Sequence, residues 1–135
     1  MKELTIDAKT ENLSRVLEFV DEELEKSGCS MRSMMQMDIA VEEIFVNIAN
    51  YAYTPESGKA VIRVDTANDP NRVTVIFKDT GTPYDPLAKE DPDITLSSEE
   101  RKIGGLGIYM AKKSVDDINY EYKNGENILS IRKNL

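Results

Sequence analysis

Ala60-Val61-Ile62-Arg63-Val64-Asp65, then Asn68-Asp69-Pro70-Asn71, then Arg72-Val73-Thr74-Val75-Ile76-Phe77 is the stretch that decides the fold. β-Branched residues dominate both flanks, and the segment between them is turn chemistry. It predicts two strands of one hairpin. Upstream, Lys2 to Asp7 alternates enough for a short edge strand. Thr10 reads as a helix N-cap, and Leu13, Val16, Leu17, Val20 and Leu24 follow at helical spacing, predicting an amphipathic helix from Glu11 to Ser27 that Gly28 ends. Ser30 reads as the cap of a second helix running to about Tyr51. Its broad apolar stripe, which includes Met34, Met37, Ile39, Val41, Ile44, Phe45 and Ile48, predicts a largely buried helix. The methionines at 31, 34, 35 and 37 read more simply as core filler than as an adaptable partner surface.

Downstream, periodicity is lost from Thr80 to Lys102, a length that inside a compact domain points to function or mobility. Leu106 to Val115 reads as a helix. Asn119 to Lys123 and Ile128 to Arg132 form a last hairpin across Asn124-Gly125. The element order predicts an α+β fold: a two-layer α/β sandwich, with a mixed, mostly antiparallel sheet carrying its helices on one face.

A chain of 135 residues is most simply one domain. Its formal net charge of -8 argues against nucleic acid as the main partner, because a phosphate backbone needs a positive footprint. A basic partner or simple solubility fits that charge, and solubility is the simpler reading. The single cysteine, Cys29, permits no intrachain disulfide and reads as a small packing or loop residue. The absence of histidine excludes a Ser-His-Asp triad, a histidine metal ligand and a phosphorylated histidine in this chain. No apolar run approaches membrane-spanning length and no signal-peptide pattern opens the chain, so a cytoplasmic protein is expected, with no membrane partner.

Three short segments carry chemistry. Glu43 and Asn47 are four apart on the second helix and project together from an otherwise apolar surface. The amide oxygen of Asn47 is a hard donor suited to Mg2+, and a carboxylate at Glu43 could take a proton from an attacking hydroxyl. Alone, this pair reads equally as a solvated or packing feature. Asp79 follows a strand, where an ionised carboxylate could turn into a pocket and accept from an exocyclic amine, while Gly81 permits close backbone approach. Its plain alternative is an Asp-Thr-Gly turn. Gly104, Gly105 and Gly107 open a helix, where backbone N–H groups and the helix end favour phosphate. They form neither a Walker A loop nor a dinucleotide fingerprint.

Taken together, these residues resemble the Bergerat-fold (GHKL) ATPases, which include gyrase, the histidine kinases and a mismatch-repair ATPase. Glu43 to Asn47 resembles the N box. Asp79-Thr80-Gly81-Thr82-Pro83-Tyr84-Asp85-Pro86 resembles the first glycine box, in the form found among the anti-sigma-factor serine-protein kinases. Gly104-Gly105-Leu106-Gly107-Ile108-Tyr109-Met110 resembles the second. The resemblance covers nearly the whole chain and implies a single ATP-binding kinase domain, 1–135, with an ATP lid at about 87–103. It implies Asn47 on Mg2+, Asp79 at adenine and Glu43 as general base toward a protein serine. It also implies nucleotide contacts from Asn50, Gly81, Pro83, Gly104, Gly105, Leu106, Gly107 and Ile108, and the segment adds Arg101 and Lys102 as candidate partners for γ-phosphate charge. The implied partners are a STAS-domain anti-sigma antagonist as phosphoacceptor, a sigma factor, and a second copy in a homodimer. Two positions depart from the family: Tyr51 stands where some relatives carry histidine, and Asn127 or Ser130 stands where many carry a threonine near adenine.

A serine-protein kinase is therefore the leading reading. An ATP-gated binding module with little or no transfer is the alternative, and Glu43 favours the kinase because a pure binder needs no base. A detached histidine-kinase catalytic domain sits poorly with Pro83. A gyrase-like fragment would lack any transducer.

Overall fold

The computed structural model describes residues 2–53, 58–68, 71–88 and 105–134. Arg101, Lys102, Gly104 and the expected lid beyond residue 88 lie outside the described residues. Strand β1 (Lys2–Asp7) is followed by a 3-10 turn at Thr10–Asn12, then α1 (Leu13–Lys26) and α2 (Met31–Asn47). A π-helical turn, Ile48–Ala52, extends α2. Strands β2 (Lys59–Asn68) and β3 (Asn71–Asp79) come next, then a 3-10 turn at Pro86–Ala88, α3 (Gly105–Ser114), β4 (Asp117–Lys123) and β5 (Glu126–Asn134).

The sheet order is β1-β2-β3-β5-β4. All four pairings are antiparallel, so the mixed component expected from the sequence does not occur among the described residues. Short connections in the sequence explain this for β2–β3 and β4–β5. In the second, Asn124 (φ 54°) and Gly125 (φ 79°) both adopt the left-handed backbone that a two-residue turn between twisted strands requires.

Strand parity sorts the residues into two faces. On β3, Val73, Val75, Phe77 and Asp79 are buried, whereas Arg72, Thr74, Ile76 and Lys78 are only half-buried. The buried face joins Val16, Val20 and Leu24 of α1 and Met37, Val41, Ile44 and Phe45 of α2 in one core. α1 and α3 both pack against α2. The helices therefore cover one face of the sheet, as the two-layer reading predicts.

Ser30 caps α2, its hydroxyl oxygen accepting from the N–H of Ser33 at 3.1 Å. Thr10 is not a cap. It begins the 3-10 turn, which Lys9 precedes without any side-chain cap bond. α1 ends where Gly28 takes φ +77°, and the N–H of Cys29 returns to the carbonyl of Leu24 at 3.2 Å. The core-filler reading of the methionines holds for Met37, which is fully buried, and in part for Met34, which packs on the core edge. Met31 and Met35 are 73% and 62% exposed, because among the described residues the outward face of α2 carries no third layer.

Candidate functional site

Helix α2 and the segment that follows β3 meet at the C-terminal end of α2. There the chain departs from α-helical geometry into the π turn, a rare widening found preferentially at functional positions. The carbonyl oxygen of Ala52, at its end, accepts the backbone N–H of Thr82 at 2.7 Å. Gly81 lies against the same carbonyl, where a Cβ would stand 2.2 Å away. Gly81 is needed for close approach, not for a positive φ. Tyr53 braces the neighbouring turn: its hydroxyl donates to the carbonyl of Lys59 at 2.6 Å and accepts the N–H of Thr80 at 2.9 Å.

A cleft of about 460 Å³, counted to its open mouth, lies between these elements. α2 and its π turn supply Ile44, Asn47, Ile48, Tyr51 and Ala52. The sheet supplies Phe77 and Asp79 from β3, Tyr120 from β4, and Asn127 and Leu129 from β5. Tyr84, Pro86 and Ile108 complete it. The rings of Tyr51 and Tyr84 stand 6.3 Å apart at 38°. The lining is aliphatic and aromatic, with Asn47, Asp79 and Asn127 as its polar amide and carboxyl groups, which suits a flat heterocycle with a few polar edges.

Asp79 faces the cleft because it shares parity with Phe77 on β3. It is 6% exposed, and its Oδ1 accepts the N–H of Gly81 at 2.9 Å and the side-chain amide of Asn127 at 2.9 Å. Burial pushes its pKa above the ordinary value, while the hydrogen bonds from Asn127 and Gly81 pull it down and the charge of Glu126 adds to the rise.

The remaining expected site residues divide by position. Asn47 lines the cleft and Ile108 reaches it from the first turns of α3. Gly105, Leu106 and Gly107 form the helical start of α3. Glu43 is half-buried one turn before Asn47 and stands outside the lining, its pKa raised by burial and then by the charge of Glu42. Asn50 and Pro83 are exposed and also outside the lining. Among the described residues no cluster of three or more acids or cysteines could hold a metal by itself. An ion at Asn47 would need the phosphates of a ligand to complete its shell, and an amide oxygen in an open cleft fits a magnesium–phosphate pair.

Sequence reading noted Tyr51 and Tyr84 without assigning either to the site, and it did not single out Tyr120. The available signal was parity: the Asn124-Gly125 turn places Asn127 and Tyr120 at inward positions, where a polar group must have a partner. No helix among the described residues is long and apolar enough to cross a membrane.

The histidine kinase-like ATPase domain model matches residues 6–133. The chain is 27% identical over 131 residues to a serine-protein kinase RsbW of Bacillus cereus, covering 94% of this chain and 81% of the relative. It is 24% identical over 102 residues to the serine/threonine-protein kinase BtrW of Bordetella bronchiseptica, covering 76% and 71%. It is 25% identical over 108 residues to a serine-protein kinase RsbW of Listeria monocytogenes, covering 77% and 68%. With the antiparallel sheet, the one-sided helix layer and the cleft between them, the match identifies the chain as a member of the histidine kinase-like ATPase domain family.

Proposed function

We propose that this chain, as one domain over residues 1–135, is a Mg-dependent serine-protein kinase of the anti-sigma type. It transfers the γ-phosphoryl of ATP to a serine on a STAS-domain antagonist and holds a partner such as a sigma factor. One observation carries the reading: Asp79 and Asn47, from two layers of the fold, line the same cleft. Asp79 then accepts from the exocyclic amine of adenine, and Ile44, Ile48, Phe77 and Leu129 supply apolar surface for the ring. Asn47 holds Mg2+, which when bound neutralises triphosphate charge. The start of α3, with Gly105 and Gly107, faces backbone N–H groups to phosphate, and Arg101 and Lys102 add positive charge.

Glu43 takes the proton from the serine hydroxyl as the serine oxygen attacks the γ-phosphorus and the bond from that phosphorus to the β–γ bridging oxygen breaks, releasing ADP. Its raised pKa suits a base, because a carboxylate in a less aqueous setting holds a proton more firmly. The alternative, an ATP-gated binding module with little or no transfer, is favoured by one fact: Glu43 stands outside the cleft lining. Incubating the protein with γ-labelled ATP and a purified STAS-domain antagonist separates the two. Label on a serine of the antagonist supports the kinase. Nucleotide-dependent complex formation without label supports the module.

A further inference from the structure

We infer that Asn127 is a positioning residue for nucleotide binding: it ties down one oxygen of Asp79 and leaves the other as the atom that meets the base. The inference rests on the reading of the cleft as an adenine site.

Asn127 is directly opposite Asp79 in the β3–β5 register and is 6% exposed. Its amide nitrogen donates to Asp79 Oδ1 at 2.9 Å, to the carbonyl of Thr82 at 3.0 Å and more weakly to that of Gly81 at 3.4 Å. Its amide oxygen accepts the N–H of Tyr84 at 3.2 Å and the hydroxyl of Tyr120. Donors meet acceptors only in this orientation, so the amide cannot flip without losing bonds at both ends.

Two N–H groups, from Gly81 and Asn127, converge on Asp79 Oδ1. That oxygen therefore carries no proton, and any proton on Asp79 must sit on Oδ2. Protonation would turn the ligand-facing oxygen from acceptor to donor and spoil its match to an amine. By favouring the carboxylate, Asn127 holds the site in its amine-accepting form, and through Gly81, Thr82 and Tyr84 it pins the first glycine box to the sheet. The other titratable groups that act on Asp79 or share its cleft are Glu126 on β5, Tyr120 on β4, Tyr84 in the loop and Tyr51 on the π turn, while α2 presents the neutral Asn47; Asp85 acts on Tyr120.

Calorimetric titration of the intact chain with ATP and Mg2+ across pH tests this. Asn127→Asp is nearly isosteric but sets a second carboxyl against Asp79. It should bind ATP about tenfold more weakly, or worse, near about pH 8 and regain affinity toward about pH 6, where the pair shares one proton. The unmodified protein should hold or lose affinity on the same acidification. Parallel pH profiles in the two proteins would overturn the inference while leaving the ATP site standing. An unmodified protein that binds no ATP would remove both. A measurement independent of variants is the NMR signal of the Asn127 side-chain amide in the unmodified protein. It should move as Asp79 titrates and again on adding ATP, and a signal indifferent to both would also overturn the proposal.

Discussion

Gly81 stands so close to Ala52 that a Cβ on it would lie 2.2 Å from the Ala52 carbonyl oxygen, 2.6 Å from its carbonyl carbon and 2.7 Å from its Cβ. This contact joins the first glycine box to the end of the N-box helix, and with them the two polar edges of the cleft. Backbone, not a flexible side chain, blocks the space. Gly81→Ala should therefore force the π turn and the loop apart, costing about 1–3 kcal/mol of stability in urea unfolding and weakening ATP disproportionately. An alanine variant with unchanged stability and affinity would mean that the loop shifts freely.

Asp79→Asn keeps the shape but replaces a charged acceptor by an amide that also presents an N–H. ATP affinity should fall about 10- to 100-fold by calorimetry, the scale of one hydrogen bond to a charged group. Burial raises the pKa of Asp79, so affinity in the unmodified protein should decline on acidification before an ordinary aspartate would begin to protonate. Retained affinity in the asparagine variant would take adenine away from this residue.

Glu43→Gln should bind ATP normally and lose transfer to a protein serine by about 10²- to 10⁴-fold, the usual span for a positioned base. The ionised carboxylate is the active form, so the rate falls as pH drops, with its acid limb above that of an unperturbed glutamate. Removing the neighbouring charge with Glu42→Gln should move that limb to lower pH. Full activity in Glu43→Gln would leave the binding-module alternative.

Asp38 of α2 and Asp21 of α1 are two carboxyls at one helix interface. Burial, then the hydrogen bond and charge of Asp21, then the charge of Glu42 push Asp38 from 3.8 up to about 8. Folding thus tightens its hold on a proton. The resulting stability is present at low pH and is lost as pH rises through about 8. Asp38→Asn should flatten the decline seen in urea melts and leave the protein more stable near about pH 8, by about 1–2 kcal/mol once solvent screening of this half-buried site is allowed for. Equal pH slopes in both proteins would show that the pair is not coupled to folding.

Met37 and Met35, two residues apart on α2, should respond oppositely to truncation. Met37→Ala opens a cavity in the core and should cost about 2–5 kcal/mol. Met35→Ala, on the exposed face, should change thermal or urea stability by no more than about 0.5 kcal/mol. A large loss at Met35 would mean that this face is covered in solution.

The amino-acid order alone determined the secondary-structure alphabet of this protein. Alternation and β-branching marked β2 and β3, Ser30 and Gly28 marked helix ends, and Asn124-Gly125 marked a hairpin, because each signal acts over a few residues of backbone. It also named Asn47, Asp79 and Ile108, which line one cleft. Tertiary structure alone decided which residues meet. Asn127 finds Asp79 across 48 positions only once β3 and β5 pair in register, the tyrosines become a rim only after the loop folds back, and exposure of Met31 and Met35 follows from the absence of a layer above α2 among the described residues. The π turn likewise ends on a contact made only in the folded chain, the carbonyl of Ala52 accepting the N–H of Thr82, because local propensity reaches a few residues and this pairing spans the whole of β2 and β3.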